Sequence, residues 1–158
     1  MVHVMSISFM KFLIQFHLTG IPVTWMLLSS GIEATIKKFL NFIKMHNLEV
    51  MPVIIMSDHN KAQMNAINTV YPDSKLLLCW WHMLHTIQMH FHTEEFPEVW
   101  ECVCEWVKTS DQSKFDSLWE WIQTDPSVPQ SLVDYLKTNW MTIVPLWSGT
   151  MRQQRTIF

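Results

Sequence analysis

A chain of 158 residues with 49% hydrophobic and 16% charged side chains has the balance of one folded domain, which excludes a disordered tail. Nine Trp, nine Phe and twelve Met against three Gly point to a large, helix-rich interior with few tight turns and no flexible linker. The formal charge of −3 excludes an ordinary free-standing nucleic-acid binder, whose affinity rests on Lys and Arg neutralising phosphates. The only arginines are Arg152 and Arg155, so any basic stripe is expected to be completed by sequence beyond Phe158 or by another chain.

The opening residues 5–16 are largely apolar, which raises the question of a signal peptide. The run is short for a membrane span, Lys11 sits inside it and no small-residue cleavage site follows, so a buried strand with an irregular start is the better expectation. The β-branched and apolar residues 20–28 predict a strand, with Pro22 near its start where a missing N–H is tolerated. Ser30-Gly-Ile-Glu33 has the S-x-x-E pattern of a capping box and predicts a helix over residues 31–46, with Ile32, Ile36, Phe39, Leu40 and Ile43 on its apolar face.

Val53-Ile-Ile-Met56 is a continuous apolar run, the pattern of a strand covered on both faces, and it ends in Ser57-Asp58. Ala62, Met64, Ala66, Ile67 and Val70 mark a helix that stops at the breaker Tyr71-Pro72-Asp73, before a buried strand over residues 76–78. Strand, helix, strand, helix, strand is the grammar of an α/β layer with parallel neighbours. Residues 80–91, 97–109, 111–123 and 130–140 then read as four helices, with Ser110 or Asp111 and Ser127 as start signals. Six of the nine Trp fall from Trp100 onward at helical spacing, which assigns them to a core rather than to a cofactor box. The expected organisation is α/β: a partial sheet over residues 1–79, followed by an all-helical region over residues 80–158.

Asp58 stands where open α/β sheets place ligand groups, at the C-terminal edge of a strand that holds the loop rigid. An N-cap for the following helix is the competing role, and position alone leaves the two open. The ordered series Val53-Ile-Ile-Met-Ser-Asp58, Ala62-Gln-Met-Asn-Ala-Ile67, Tyr71-Pro72, Leu76-Leu-Leu-Cys79 and Cys79-Trp-Trp-His82 resembles the core of Mutator-like (MULE) transposases, the version in fungal genomes looking closest. Gly20-Ile-Pro-Val-Thr-Trp-Met-Leu-Leu and Phe91-His-Thr-Glu-Glu-Phe96 extend the similarity, which spans roughly residues 17–158; residues 1–16 fit it poorly.

The resemblance implies an RNase H-like fold, DNA as partner, the nucleus as the place of action, and two Asp and one Glu holding two Mg²⁺ or Mn²⁺ ions. Asp58 matches the second Asp, a catalytic and metal-binding position, while Cys79 and His82 match the Cys-x-x-His motif at the junction with the helical insertion. The family's first Asp and closing Glu have no match, because no acid precedes Glu33 and none follows Asp134. One carboxylate cannot hold two hard cations against water, so no stably bound ion is expected. The chain therefore reads as a relative truncated at both ends of the catalytic core and inactive alone, or as a non-catalytic DNA- or protein-interaction module.

The three cysteines, Cys79, Cys102 and Cys104, are too few for a disulfide framework and suit a reducing compartment. Zinc is not expected either, since Cys-x-Cys is tighter than structural zinc spacing; a thiol and an imidazole packed at the strand-to-helix junction are the expectation for Cys79 and His82. His85, His90 and His92 read as solvated residues, and Glu94, Glu95, Glu98, Glu101 and Glu105 as a helix start and its exposed face.

Overall fold

The computed structural model describes residues 8–16, 19–28, 32–47 and 51–153. They form β1 (Ser8–Phe16), β2 (Thr19–Leu28), α1 (Glu33–His46), β3 (Ile54–Ser57), α2 (Lys61–Val70), β4 (Lys75–Leu78), α3 (Trp80–His90), α4 (Pro97–Lys108), α5 (Gln112–Thr124), α6 (Gln130–Asn139), a 3-10 turn (Met141–Ile143), α7 (Val144–Trp147) and α8 (Gly149–Gln153). The class is α/β with helices predominating. The chain divides into two compact units, one made of Met1–Ile55 with Asn60–Leu76, the other of Met56–His59 with Leu77–Phe158.

In the first unit, β1 and β2 pair antiparallel in a two-stranded sheet of their own. Two residues separate these strands, so antiparallel pairing closes locally, whereas a parallel neighbour needs a crossover. The ladder slips between Phe12 and Leu13, which pair with Thr24 and Pro22, so Val23 is the extra residue of a bulge. Proline cannot donate to a ladder, and a bulge is where sheets accommodate it. The expected single parallel layer containing β2, β3 and β4 is thus not what forms among the described residues: only β3 and β4 pair in parallel.

Helix α1 begins at Glu33 behind the N-cap Ile32, whose side chain makes no cap hydrogen bond. The predicted capping box rests on Ser30, which lies outside the described residues; the Glu33 carboxylate meets Lys37 at 2.6 Å and accepts from Asn65 Nδ2 at 3.0 Å. Ile36, Phe39, Leu40 and Ile43 are buried as their spacing predicts, while Ile32 is exposed. Ile36 and Leu40 pack with Ile55, Ala66, Ile67, Val70, Tyr71 and Leu76, and Ala62 and Met64 cover the margin.

The run from Val53 to Met56 is covered on one face only. Ile55 and Ser57 point inward, whereas Ile54 is 42% and Met56 50% exposed. Period-2 alternation sends these pairs to opposite faces, and α1 and α2 supply apolar cover to the Ile55 face. Strand β4 is buried from Leu76 to Leu78.

The second unit buries Val99, Val103, Trp106 and Val107 of α4 with Phe115 and Ile122 of α5 and Leu132, Val133 and Leu136 of α6. Trp106 is the hub: its ring lies 5.4 Å from Phe115, 5.0 Å from Trp119 and edge-on to Trp147 at 4.8 Å. Asp111 caps α5, accepting from Lys114 N at 3.1 Å. Ser127 does not cap α6, whose N-cap is Pro129; its hydroxyl and amide both donate to Asp125 in the preceding turn. Gly149 opens α8 where a methyl group would collide with the carbonyls of Lys108 and Thr109, so the closing residues dock backbone-to-backbone on the end of α4. No helix among the described residues is long and apolar enough to cross a membrane.

Candidate functional site

Parallel pairing brings the C-terminal ends of β3 and β4 to one edge. Lys75 N donates to Val53 O and Cys79 N to Ser57 O, both at 2.8 Å, so Asp58 and Cys79 leave their strands side by side. This edge belongs wholly to the helical unit. Asp58 is half-buried, and the buried Ser57 hydroxyl donates to its Oδ1 at 3.4 Å.

The N-cap of α2 is Asn60, whose side chain accepts from Gln63 N at 3.1 Å. The role of helix cap that competed for Asp58 is therefore filled two residues downstream, and the Asp58 carboxylate is not consumed there.

His59, next along, lies against Trp140 with ring centroids 5.1 Å apart. Trp140 O accepts from Trp147 Nε1 at 2.9 Å, and Trp147 O accepts from Trp80 Nε1 at 2.6 Å and from Arg152 Nε at 3.4 Å. Arg152 also donates through Nη2 to Leu78 O and holds its guanidinium 4.1 Å over the Trp80 ring. Residues 140–152 thus close on both strand ends, touching His59 on one side and Leu78 and Trp80 on the other. Burial pulls the Arg152 guanidinium below its ordinary value, and the neighbouring Cys79 opposes that shift. A cation at such a place is kept by its two carbonyl acceptors and the indole face beneath it.

Arg152 was missed by sequence reasoning, which counted it as a tail arginine; Trp147 is core, as its spacing predicts. No local pattern marks a residue whose partner lies 74 positions away, as Leu78 does from Arg152.

Cys79 is the N-cap of α3 and half-buried, and His82 stands in the first turn, exposed, its ring edge-on to Trp81 at 4.9 Å. The expectation of an imidazole packed into the junction is corrected: Arg152 and Trp80 brace it, and His82 faces outward. Cys102 and Cys104 sit half-buried on α4. Burial, then Glu105, pushes the Cys102 thiol up to about 11; burial chiefly raises Cys104 as well, with Lys108 opposing. Raised thiols are poor zinc ligands, because the metal binds thiolate. His85, His90 and His92 are exposed, as are Glu94, Glu95, Glu98, Glu101 and Glu105.

Two divalent ions in one site need several hard oxygen donors packed together. Around Asp58 the structure offers the Ser57 hydroxyl, and among the described residues no three His, Cys, Asp or Glu side chains stand close enough to hold an ion. The described residues do not fit a two-ion centre. A shallow depression of about 620 Å³ lies elsewhere, along α4 and the start of α5 between Trp100, Cys104, Lys108 and Lys114.

Residues 5–86 match the family model described as the MULE transposase domain. The match takes in β1, which the resemblance left outside, and ends within α3, short of the helical block the resemblance included. No curated protein matches the chain.

Proposed function

Because the chain belongs to the MULE transposase domain family, we propose that it is a relative of DNA transposases that associates with DNA at the β3–β4 edge and cuts no strand with its own residues. The observation that carries the reading is the lone carboxylate: Asp58 leaves its strand beside Cys79, uncommitted to helix capping, with no second acid along residues 59–72 or 74–93. Two-ion phosphodiester chemistry needs the attacking and departing oxygens clamped at once, and one carboxylate with one hydroxyl cannot do that. Further support for an RNase H-like core comes from the β3–α2–β4 unit, a parallel crossover with an acid at the strand end.

Incubating the purified chain with supercoiled and linear DNA in Mg²⁺ or Mn²⁺ is expected to give no nicking and no strand transfer, identically for wild type and Asp58→Ala. DNA binding is expected to be weak and to fall as salt rises. Metal-dependent cleavage that disappears in Asp58→Ala overturns the reading, since other carboxylates must then complete the site.

A further inference from the structure

Among the described residues of the helical unit, Trp81 is the large aromatic residue left exposed. Trp80 beside it donates its N–H to Trp147 O and lies beneath Arg152, and Trp106, Trp140 and Trp147 are fully buried, yet Trp81 is 66% exposed. It is not splayed at random: its ring lies nearly parallel to His85, 5.1 Å away at 13°, and edge-on to His82. One imidazole supports one indole, so the flat indole surface is held by its own helix.

Charge separates this place from the rest of the chain. Helix α3 carries no Asp or Glu from Trp80 to His90, and Arg152 stands at its start, whereas α4 carries Glu98, Glu101 and Glu105. A polyanion kept away from α4 by its carboxylates meets none along α3. The neighbours of Trp81 are exposed histidines rather than a continuous apolar groove, which is what a second protein surface would need. The position also fits: Trp81 is in the first turn of the helix that leaves β4, at the edge where Asp58 leaves β3.

We infer that Trp81, supported by His85, is a stacking platform for an unpaired nucleobase of DNA. The inference rests on the DNA-associating reading above and adds its contact point. Stacking accepts any base, because every base has a π-face, and it supplies affinity that the scarce Lys and Arg do not.

The test uses the full chain and a short single-stranded oligodeoxynucleotide carrying 2-aminopurine, whose fluorescence is quenched when its base stacks; the reporter is on the DNA because nine tryptophans obscure the protein's own emission. Binding is read in parallel from the anisotropy of a fluorescein-labelled strand at low salt. Wild type and Trp81→Phe are expected to quench, and Trp81→Ala to lose the quench and bind about tenfold more weakly. Because Trp81 is exposed, Trp81→Ala is expected to keep the wild-type circular dichroism and melting temperature. Binding with no quench, or a quench that survives in Trp81→Ala, overturns the platform and leaves the DNA reading standing. Absence of binding by anisotropy overturns both. A self-association seen by sedimentation in wild type and abolished in Trp81→Ala makes the indole a protein contact and also overturns the platform.

Discussion

In the α/β unit, Ile55 packs among seven other buried residues while its strand neighbour Ile54 and the side chains of Phe42 and Met45 on α1 face solvent; in the helical unit, Trp106, Trp140 and Trp147 are enclosed completely. The difference follows from how each architecture finds cover. Consecutive helices meet through short connections and bury one another's apolar stripes as they fold back, so a run such as α4, α5 and α6 closes with near neighbours. A two-stranded parallel sheet has two faces and only one set of crossover helices, and parallel sheets are stable when both faces are covered. The candidate site, at the ends of β3 and β4, lies within the helical unit.

The largest effect is expected from Trp147→Ala. It removes a fully enclosed indole, its bond to Trp140 O and the hub contact with Trp106, and a loss of about 3–5 kcal/mol is expected by urea denaturation. Phe42→Ala, on an exposed ring, is expected to stay within about 0.5 kcal/mol.

Within β3 the comparison sharpens to adjacent residues. Ile55→Ala is expected to cost about 2–4 kcal/mol, and Ile54→Thr and Met56→Thr each less than about 0.5. If Ile54→Thr costs as much as Ile55→Ala, the outer face of β3 is covered in solution and the contrast between the units breaks.

Arg152→Ala is expected to lose about 1.5–3 kcal/mol, from two charged bonds to the carbonyls of Leu78 and Trp147 and the contact with Trp80. Arg152→Lys should recover only part of it, because an ammonium cannot hold both carbonyls and lie flat on the indole. Equal stability of all three forms by thermal unfolding would show that residues 140–152 grip the strand ends without this side chain.

The effect of Cys102 is expected only at alkaline pH. Its thiol titrates near 11 when folded and near 9 when unfolded, so below pH 9 both states hold the proton and stability is unaffected. As the pH rises through that window the unfolded chain gives up its proton first, and stability falls. A melting temperature that declines between about pH 9 and 11 in wild type, and less steeply in Cys102→Ser, is the expected result.

Periodicity reports which face of an element is apolar, and it is a local property. For that reason the burial of Ile36, Phe39, Leu40 and Ile43 on α1, the breaker after Val70, the helical second half and the placing of Asp58 at a strand end were all legible in the chain itself. The sequence also contained the shortage of acids that argues against a two-ion centre. Partner choice is not local. Asn60 and Asp58 are equally good caps on paper, and only the backbone path into α2 decided that Asn60 takes the role. Whether Val53–Met56 had cover on one face or two, whether β2 paired with β1 or with a parallel neighbour, and which residues gripped the strand ends were decided by segments far apart in the chain. A side chain's pattern tells what surroundings it prefers; the tertiary structure decides which distant groups supply them, because hydrogen bonds and packing act across space without regard to sequence separation.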